Sequence, residues 1–173
     1  MPGACCHLAG MIRTLARLAP LLLCPAAALA ACPDTTVLSC TTSGGTRALE
    51  VCLSGSTVNY SYGPPGGPAE MVLTAALGPG IYRPSTDVSA RKYQGPRIAN
   101  ASHAYESWFA FDSLSDTPPE AGVTVLKGDE VTETALCDPG SISANFAVLG
   151  KATEAAGFCW DPASLGWVPG ACD

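Results

Sequence analysis

Six cysteines constrain this chain more than any other feature. The sequence holds nine, and an apolar leader divides them. Cys5, Cys6 and Cys24 fall inside the leader; Cys32, Cys40, Cys52, Cys137, Cys159 and Cys172 follow it. Six is an even number, as three disulfides require, and disulfides persist in oxidising compartments. The expectation is a disulfide-stapled domain that works outside the cytoplasm, secreted or periplasmic.

The leader reads as a signal peptide over residues 1–30. Arg13 and Arg17 form the positive segment, and Leu18 to Leu29 is the apolar segment. Ala28-Leu29-Ala30 is a small-residue cleavage site, with Ala31 the first mature residue. Met11, just before the arginines, is expected to be the true start. The apolar run falls short of the roughly 20 residues that span a bilayer, so no transmembrane helix is expected after signal removal. Leu29-Ala30-Ala31-Cys32 also resembles a lipobox. On that reading Cys32 is lipidated and anchors a structural envelope lipoprotein. Parity opposes it, because five cysteines would leave one thiol unpaired.

Residues 31–173 form a single expected domain. Without Arg13 and Arg17, seven basic residues face fifteen acidic ones, a net charge of −8. Such a surface argues against nucleic acid and anionic membrane as partners, and fits either plain solubility or a basic protein partner. The charge is uneven. Arg83, Arg91, Lys92 and Arg97 cluster beside Tyr82 and Tyr93, whereas Glu106 to Asp138 carries eight acids and one base, Lys127. The two segments are expected to face each other as solvated neighbours rather than to form a dedicated anion site.

Alternation of apolar and polar residues predicts a mainly β chain. Val37 to Leu53 reads as a hairpin turning at Gly44-Gly45, with Ser43 facing Thr46, Cys40 facing Leu49 and Val37 facing Cys52. Leu38, Cys40 and Thr42 then share the apolar face with Leu49, Val51 and Leu53. Ser56 to Tyr62, Glu70 to Leu77, Glu106 to Asp112, Gly122 to Leu126 and Glu130 to Cys137 are further strands. The spacing of Ile142, Phe146, Leu149, Ala152 and Ala156 predicts one C-terminal helix, capped by Ser141 or Ser143 and closed by Gly157. The segment Gly78 to His103 and the tail from Cys159 read as irregular. The fold class is therefore an antiparallel sheet of six to eight strands, or a small barrel, with one helix.

The facing of the strands narrows the disulfides. Cys40 and Cys52 lie on opposite faces, which disfavours a bond between them. Cys32 is expected to reach Cys52, Cys40 to reach Cys137, and Cys159 to close the tail with Cys172.

No motif singles out a catalytic set. His103 is the one histidine after the leader. A triad drawn from Ser102 or Ser107, His103 and Asp112 has no nucleophile elbow to support it. Glu106 with Asp112 is one of many acid pairs a glycosidase would need. Asp112 with Asp116, and Asp129 with Glu130, lack the alternating ligands of a calcium loop. No metal and no cofactor are expected. Asn59 and Asn100 head N-x-S glycosylation motifs, the first in mid-strand. Trp108 faces opposite to Phe109 and Phe111, which makes it either a covered residue or an exposed interface anchor. The expected contact region comprises Tyr82, Arg83, Arg91, Lys92, Tyr93, Arg97 and Trp108.

Leu38-Ser39-Cys40-Thr41-Thr42, Glu50-Val51-Cys52 and Tyr60-Ser61-Tyr62-Gly63-Pro64 resemble a pattern in uncharacterised small secreted bacterial proteins. Cys40, Lys127-Gly128-Asp129-Glu130 and Cys137 resemble positions of the membrane-bound C-type lysozyme inhibitors. That resemblance implies a small antiparallel barrel whose early cysteine bridges to a late one. The chain departs from the family's S-G-x-x-Y loop, since Ala101-Ser102-His103-Ala104-Tyr105 lacks the glycine, and it carries four additional cysteines. No site residue is transferred. The expected function is a non-catalytic binding module, an inhibitor among the candidates; a small extracytoplasmic hydrolase is the alternative.

Overall fold

The structure, a computed structural model, describes residues 32, 34–85, 91–170 and 172. The leader, its cleavage site and Met11 lie outside the described residues. The described residues are mainly β, with one helix and three disulfides among them.

Four strands form an antiparallel meander: β1 (Thr35–Thr42), β2 (Arg47–Ser54), β3 (Thr57–Gly63) and β4 (Met71–Ala76). Leu38 pairs with Val51, Cys40 with Leu49 and Thr42 with Arg47. The ladder stops there, so Ser43 to Thr46 form a four-residue loop rather than a two-residue turn. Ser43, Gly44 and Gly45 all take positive φ (56°, 68° and 82°), which two glycines make accessible. A bulge between Thr36 and Leu38 pairs Cys52 with Thr36, not with Val37. The extra residue lets Val37 and Leu38 both be fully buried, which strict alternation would forbid.

A second meander holds β5 (Tyr82–Arg83), β6 (Arg91–Asn100), β7 (His103–Asp112), β8 (Glu120–Lys127) and β9 (Glu130–Leu136). Gly78 to His103 therefore contains a short strand and a ten-residue strand, where the sequence reads as a loop. Gly95 and Pro96 mask the pattern. Their main-chain partners are Arg83 and Tyr82, while β6 pairs with β7 on either side of them. A proline is tolerated where the ladder does not need its missing N–H.

The inner faces of the two sheets share one core. Leu38, Leu49, Val51 and Val58 are fully buried, and Val123 and Ala121 reach them from the other sheet. The rings of Tyr60 and Tyr105 meet across the interface at 5.9 Å. Each fully buried large apolar side chain contributes roughly 1.5–3 kcal/mol. The sheets also join at one seam. Thr42 bridges to Cys137, the Asp138 amide donates to the Thr41 carbonyl at 2.7 Å, and Cys40 is bonded to Cys137.

The remaining chain covers the ends of the core. β10 (Ser143–Ala144) adds to the free edge of β1, with Ser143 opposite Ser39. α1 (Ala147–Ala155) follows and buries Leu149 and Thr153. The helix is thus shorter than its apolar spacing predicts, because pairing with β1 draws Ser143 into a strand. Phe146 stands at the N-cap, and neither Ser141 nor Ser143 caps it. Ser141 instead accepts from the Thr41 amide at 3.1 Å. Gly157 follows the C-cap at φ 88°, and its amide donates to the Glu154 carbonyl. The tail is not irregular: β11 (Phe158–Asp161) and β12 (Gly166–Pro169) form a hairpin. Its Trp167 packs on Tyr82, and the indole N–H donates to the Tyr82 carbonyl at 2.7 Å.

The three bonded pairs are Cys32–Cys52, Cys40–Cys137 and Cys159–Cys172, with Cα separations of 5.3, 5.7 and 5.1 Å. They span 20, 97 and 13 residues of sequence. No described helix is long and apolar enough to cross a membrane.

Candidate ligand cleft

The outer face of the second sheet is built from cross-strand rows. Gly95 pairs with Arg83, and Trp108 with Gly122, which pairs with Leu136. The next row runs Arg97, Glu106, Thr124 and Thr134. Gly95 and Arg97 are two residues apart on β6, so Arg83, Arg97 and Glu106 project from one face.

Two glycines shape this face. A methyl group at Gly95 would run into the Ser107 carbonyl oxygen. One at Gly122 would meet the Ala135 carbonyl oxygen and lie 3.2 Å from the Trp108 indole. Trp108 therefore lies over bare backbone. Its N–H donates to the Thr124 hydroxyl at 3.1 Å, and Tyr93 stacks on it at 5.7 Å. Trp108 is only 8% exposed, although it stands apart from the central core cluster. It is not the exposed anchor that one sequence reading allowed. Tyr93 takes that position, 43% exposed. Burial, and then the Glu106 carboxylate, hold the Tyr93 phenol well above its ordinary value.

Beside this platform lies a cleft of about 460 Å³ between the β5–β6 edge and the C-terminal hairpin. Arg83, Arg97, Glu106, Trp160, Ser164 and Leu165 line it, with Gly95 in its floor. Arg83 and Arg97 are exposed. The described ion pairs are Arg47–Glu70 and Arg91–Glu120, so neither cleft arginine is paired among the described residues. Arg97 donates to the Gly128 carbonyl at 3.5 Å. Trp160 is half-buried and held edge-on against Trp167 at 5.5 Å and 73°. Asp161 fixes the loop of the hairpin. Its carboxylate accepts from the Ser164 hydroxyl and from the Ala163 and Ser164 amides, which lowers its pKa below 3.8.

The seven expected contact residues thus separate. Arg83 and Arg97 both line the cleft. Tyr82 turns inward, where burial pushes its hydroxyl up to about 12 and that hydroxyl donates to Gln94 at 3.1 Å. Arg91 pairs with Glu120 across the sheet, as the facing of basic and acidic segments anticipates. Lys92 stands on the opposite face of β6, across from Phe111. Tyr93 and Trp108 form the adjoining platform.

The weighed catalytic groups do not converge. His103 and Asp112 occupy opposite ends of β7, about 30 Å apart at ~3.3 Å per residue. His103 Nδ1 lies 3.2 Å from the Ser102 hydroxyl, and Ser107 is buried at 2% exposure. Glu106 and Asp112 are six residues apart on the same strand, about 20 Å, beyond the ~5–9.5 Å that glycosidase pairs need. Asp112 caps the Leu114 amide at 2.8 Å. No group of three or more metal-ligating side chains occurs among the described residues.

A second, larger groove of about 690 Å³ lies where β9 meets the first sheet. Pro118, Pro119, Leu136, Pro139 and Ile142 give it mainly apolar walls.

No family model matches the chain. No curated protein matches its sequence, and no solved structure matches its fold. The cleft is therefore read from its own chemistry. Sequence reasoning missed Trp160 and Trp167, because the tail reads as irregular without its hairpin. The Trp-x₆-Trp spacing across Asp161 to Gly166 was the available signal, and Trp160 does pair with Trp167.

Proposed function

We propose that the protein is a non-catalytic binding module acting outside the cytoplasm, secreted or periplasmic, and that it meets its partner at the Arg83–Arg97 cleft. The observation that carries this is two exposed arginines lining one cleft, neither in an ion pair among the described residues, on a chain of net charge −6. Arginine beside tryptophan is a composition that binding surfaces favour. Three disulfides and the signal-peptide reading of residues 1–30 support the location. The Cys32–Cys52 bond supports a soluble form, since a lipid on Cys32 would need the same sulfur atom.

Immobilised protein is exposed to secreted and envelope fractions, in parallel with the Arg83→Ala/Arg97→Ala double variant. A partner retained by the parent and lost by the double variant is the expected result. Equal retention by both removes the cleft from the reading. Turnover of a glycan or peptide library by the purified protein, with no partner retained, replaces the binding reading with the hydrolase one.

A further inference from the structure

We infer that the Cys159–Cys172 bond is a reducible clasp. An external dithiol opens it ahead of the other two disulfides. Its opening releases the C-terminal hairpin from Tyr82 and takes away one wall of the cleft. Only the consequence for binding rests on the reading of the cleft as the partner site.

Exposure separates this bond from the others. Attack on a disulfide needs access to one of its sulfur atoms, and exposed bonds are the labile ones. Cys172 is exposed and Cys159 half-buried. Cys40, Cys52 and Cys137 are buried, at 6%, 7% and 9% exposure, and Cys32 is half-buried. Each of the other two bonds therefore has at least one sulfur inside the fold. The local frame acts in the same direction. Cys40–Cys137 lies in the seam where the two large sheets join, beside the Asp138–Thr41 hydrogen bond. Cys52 stands within β2, between Thr36 of β1 and Asn59 of β3. Cys159 belongs to β11, and β11 and β12 form a two-stranded sheet that pairs with no other described strand. A lone hairpin is marginal in water.

The hairpin's anchor on the body is Trp167. Its indole N–H donates to the Tyr82 carbonyl at 2.7 Å, and its ring lies 6.3 Å from that of Tyr82. The same hairpin gives Trp160, Ser164 and Leu165 to the cleft, and Tyr82 beneath it is only 4% exposed. Loosening the hairpin uncovers Tyr82 and leaves Arg83 and Arg97 without that wall. The reduction step is ordinary thiol–disulfide exchange. A thiolate of the dithiol attacks Cys172 Sγ, and the electron pair of the Cys159–Cys172 bond leaves on Cys159 Sγ, which takes a proton. The second thiolate of the dithiol attacks its own sulfur in the mixed disulfide and frees Cys172 as a thiol. The protein gains two electrons and two protons, and the dithiol leaves as a disulfide.

The test exposes the folded, fully oxidised protein to graded dithiothreitol without denaturant, alkylates with iodoacetamide and maps the labelled peptides by mass. Cys159 and Cys172 are expected to reach half-labelling at a dithiol concentration about tenfold below that of the other four cysteines. Tryptophan emission and near-UV circular dichroism are expected to change in step with that labelling, since two of the chain's three tryptophans lie in the hairpin. Oxidised glutathione should restore both signals. Cys159→Ser/Cys172→Ser should show the altered spectra without reductant and no further change at the low dithiol concentration. Equal or earlier labelling of another pair overturns the inference, as does selective labelling that leaves the spectra unchanged. Partner capture is then repeated with the selectively reduced protein. Loss of the retention that depends on Arg83 and Arg97 is expected, and unchanged retention overturns control of the cleft. If neither form retains a partner, the binding reading fails, while labelling and spectra still decide the clasp.

Discussion

The amide of Gly44 donates to the Asp138 carboxylate at 2.9 Å across 94 residues of sequence. The Gly45 amide and the Thr41 hydroxyl donate to the same carboxylate at 2.7 and 2.9 Å. One side chain thereby holds the β1–β2 loop against the end of β9. It sits next to Cys137, so a covalent bond and a charge-assisted cluster close the same seam.

Asp138 makes that seam sensitive to acid. The Gly44 hydrogen bond, with those of Thr41 and Gly45, lowers its pKa below the ordinary 3.8. A carboxyl whose folded pKa is depressed contributes stability above its unfolded pKa and loses it as the pH falls through the folded value. Asp138→Asn is therefore expected to destabilise the protein at pH 7 and to make its stability fall less steeply below pH 4. Urea midpoints of both proteins across pH 2–7 measure this. Parallel acid limbs would show that the carboxylate has no part in the linkage.

The disulfides are expected to rank by the chain they enclose. Cys40–Cys137 encloses 97 residues of separation and Cys159–Cys172 only 13. Loop entropy assigns about 4.7 kcal/mol to a ~100-residue loop and about 3 kcal/mol to a ~15-residue one. Cys40→Ala/Cys137→Ala should therefore cost more than Cys159→Ala/Cys172→Ala in denaturant unfolding. The second variant should also release the Trp167 contact with Tyr82, which near-UV circular dichroism would register. The reverse order would mean that the tail carries more of the fold than its short loop implies.

Gly95 and Gly122 allow their strands and Trp108 to approach closely, so added volume is costly at either position. Gly95→Ala and Gly122→Ala are each expected to lose about 1–3 kcal/mol, the usual cost of overpacking. Gly122→Ala should in addition shift Trp108 fluorescence, because the indole lies 3.2 Å from the new methyl position. Thermal unfolding with emission spectra tests both, and a neutral Gly95→Ala would show that β6 can move away from β7.

The strands that alternate cleanly were legible in the sequence. β1 from Leu38 onward, β2 and β3 turn an apolar residue to one face at every second position, and the interior takes that face: Leu38, Leu49, Val51, Val58 and Tyr60 are all buried. β6 was not legible. Its Tyr93 and Trp108 neighbours face outward, its inner residues include Lys92 and Gln94, and Gly95-Pro96 interrupts the pattern. Strand identity there comes from pairing with β7 and, at Gly95-Pro96, with β5.

Local sequence specifies the mainly β class, the inward facing of Cys40 and the basic cluster that supplies Arg83 and Arg97, because alternation and local charge are properties of neighbouring residues. Tertiary structure alone decided three things. A bulge at Val37 buries two successive residues. Asp138 serves a loop 94 residues away. The C-terminal hairpin brings Trp160 to the arginines. Each of these depends on a contact distant along the chain, whose entropy cost of closure is met only when the whole core forms.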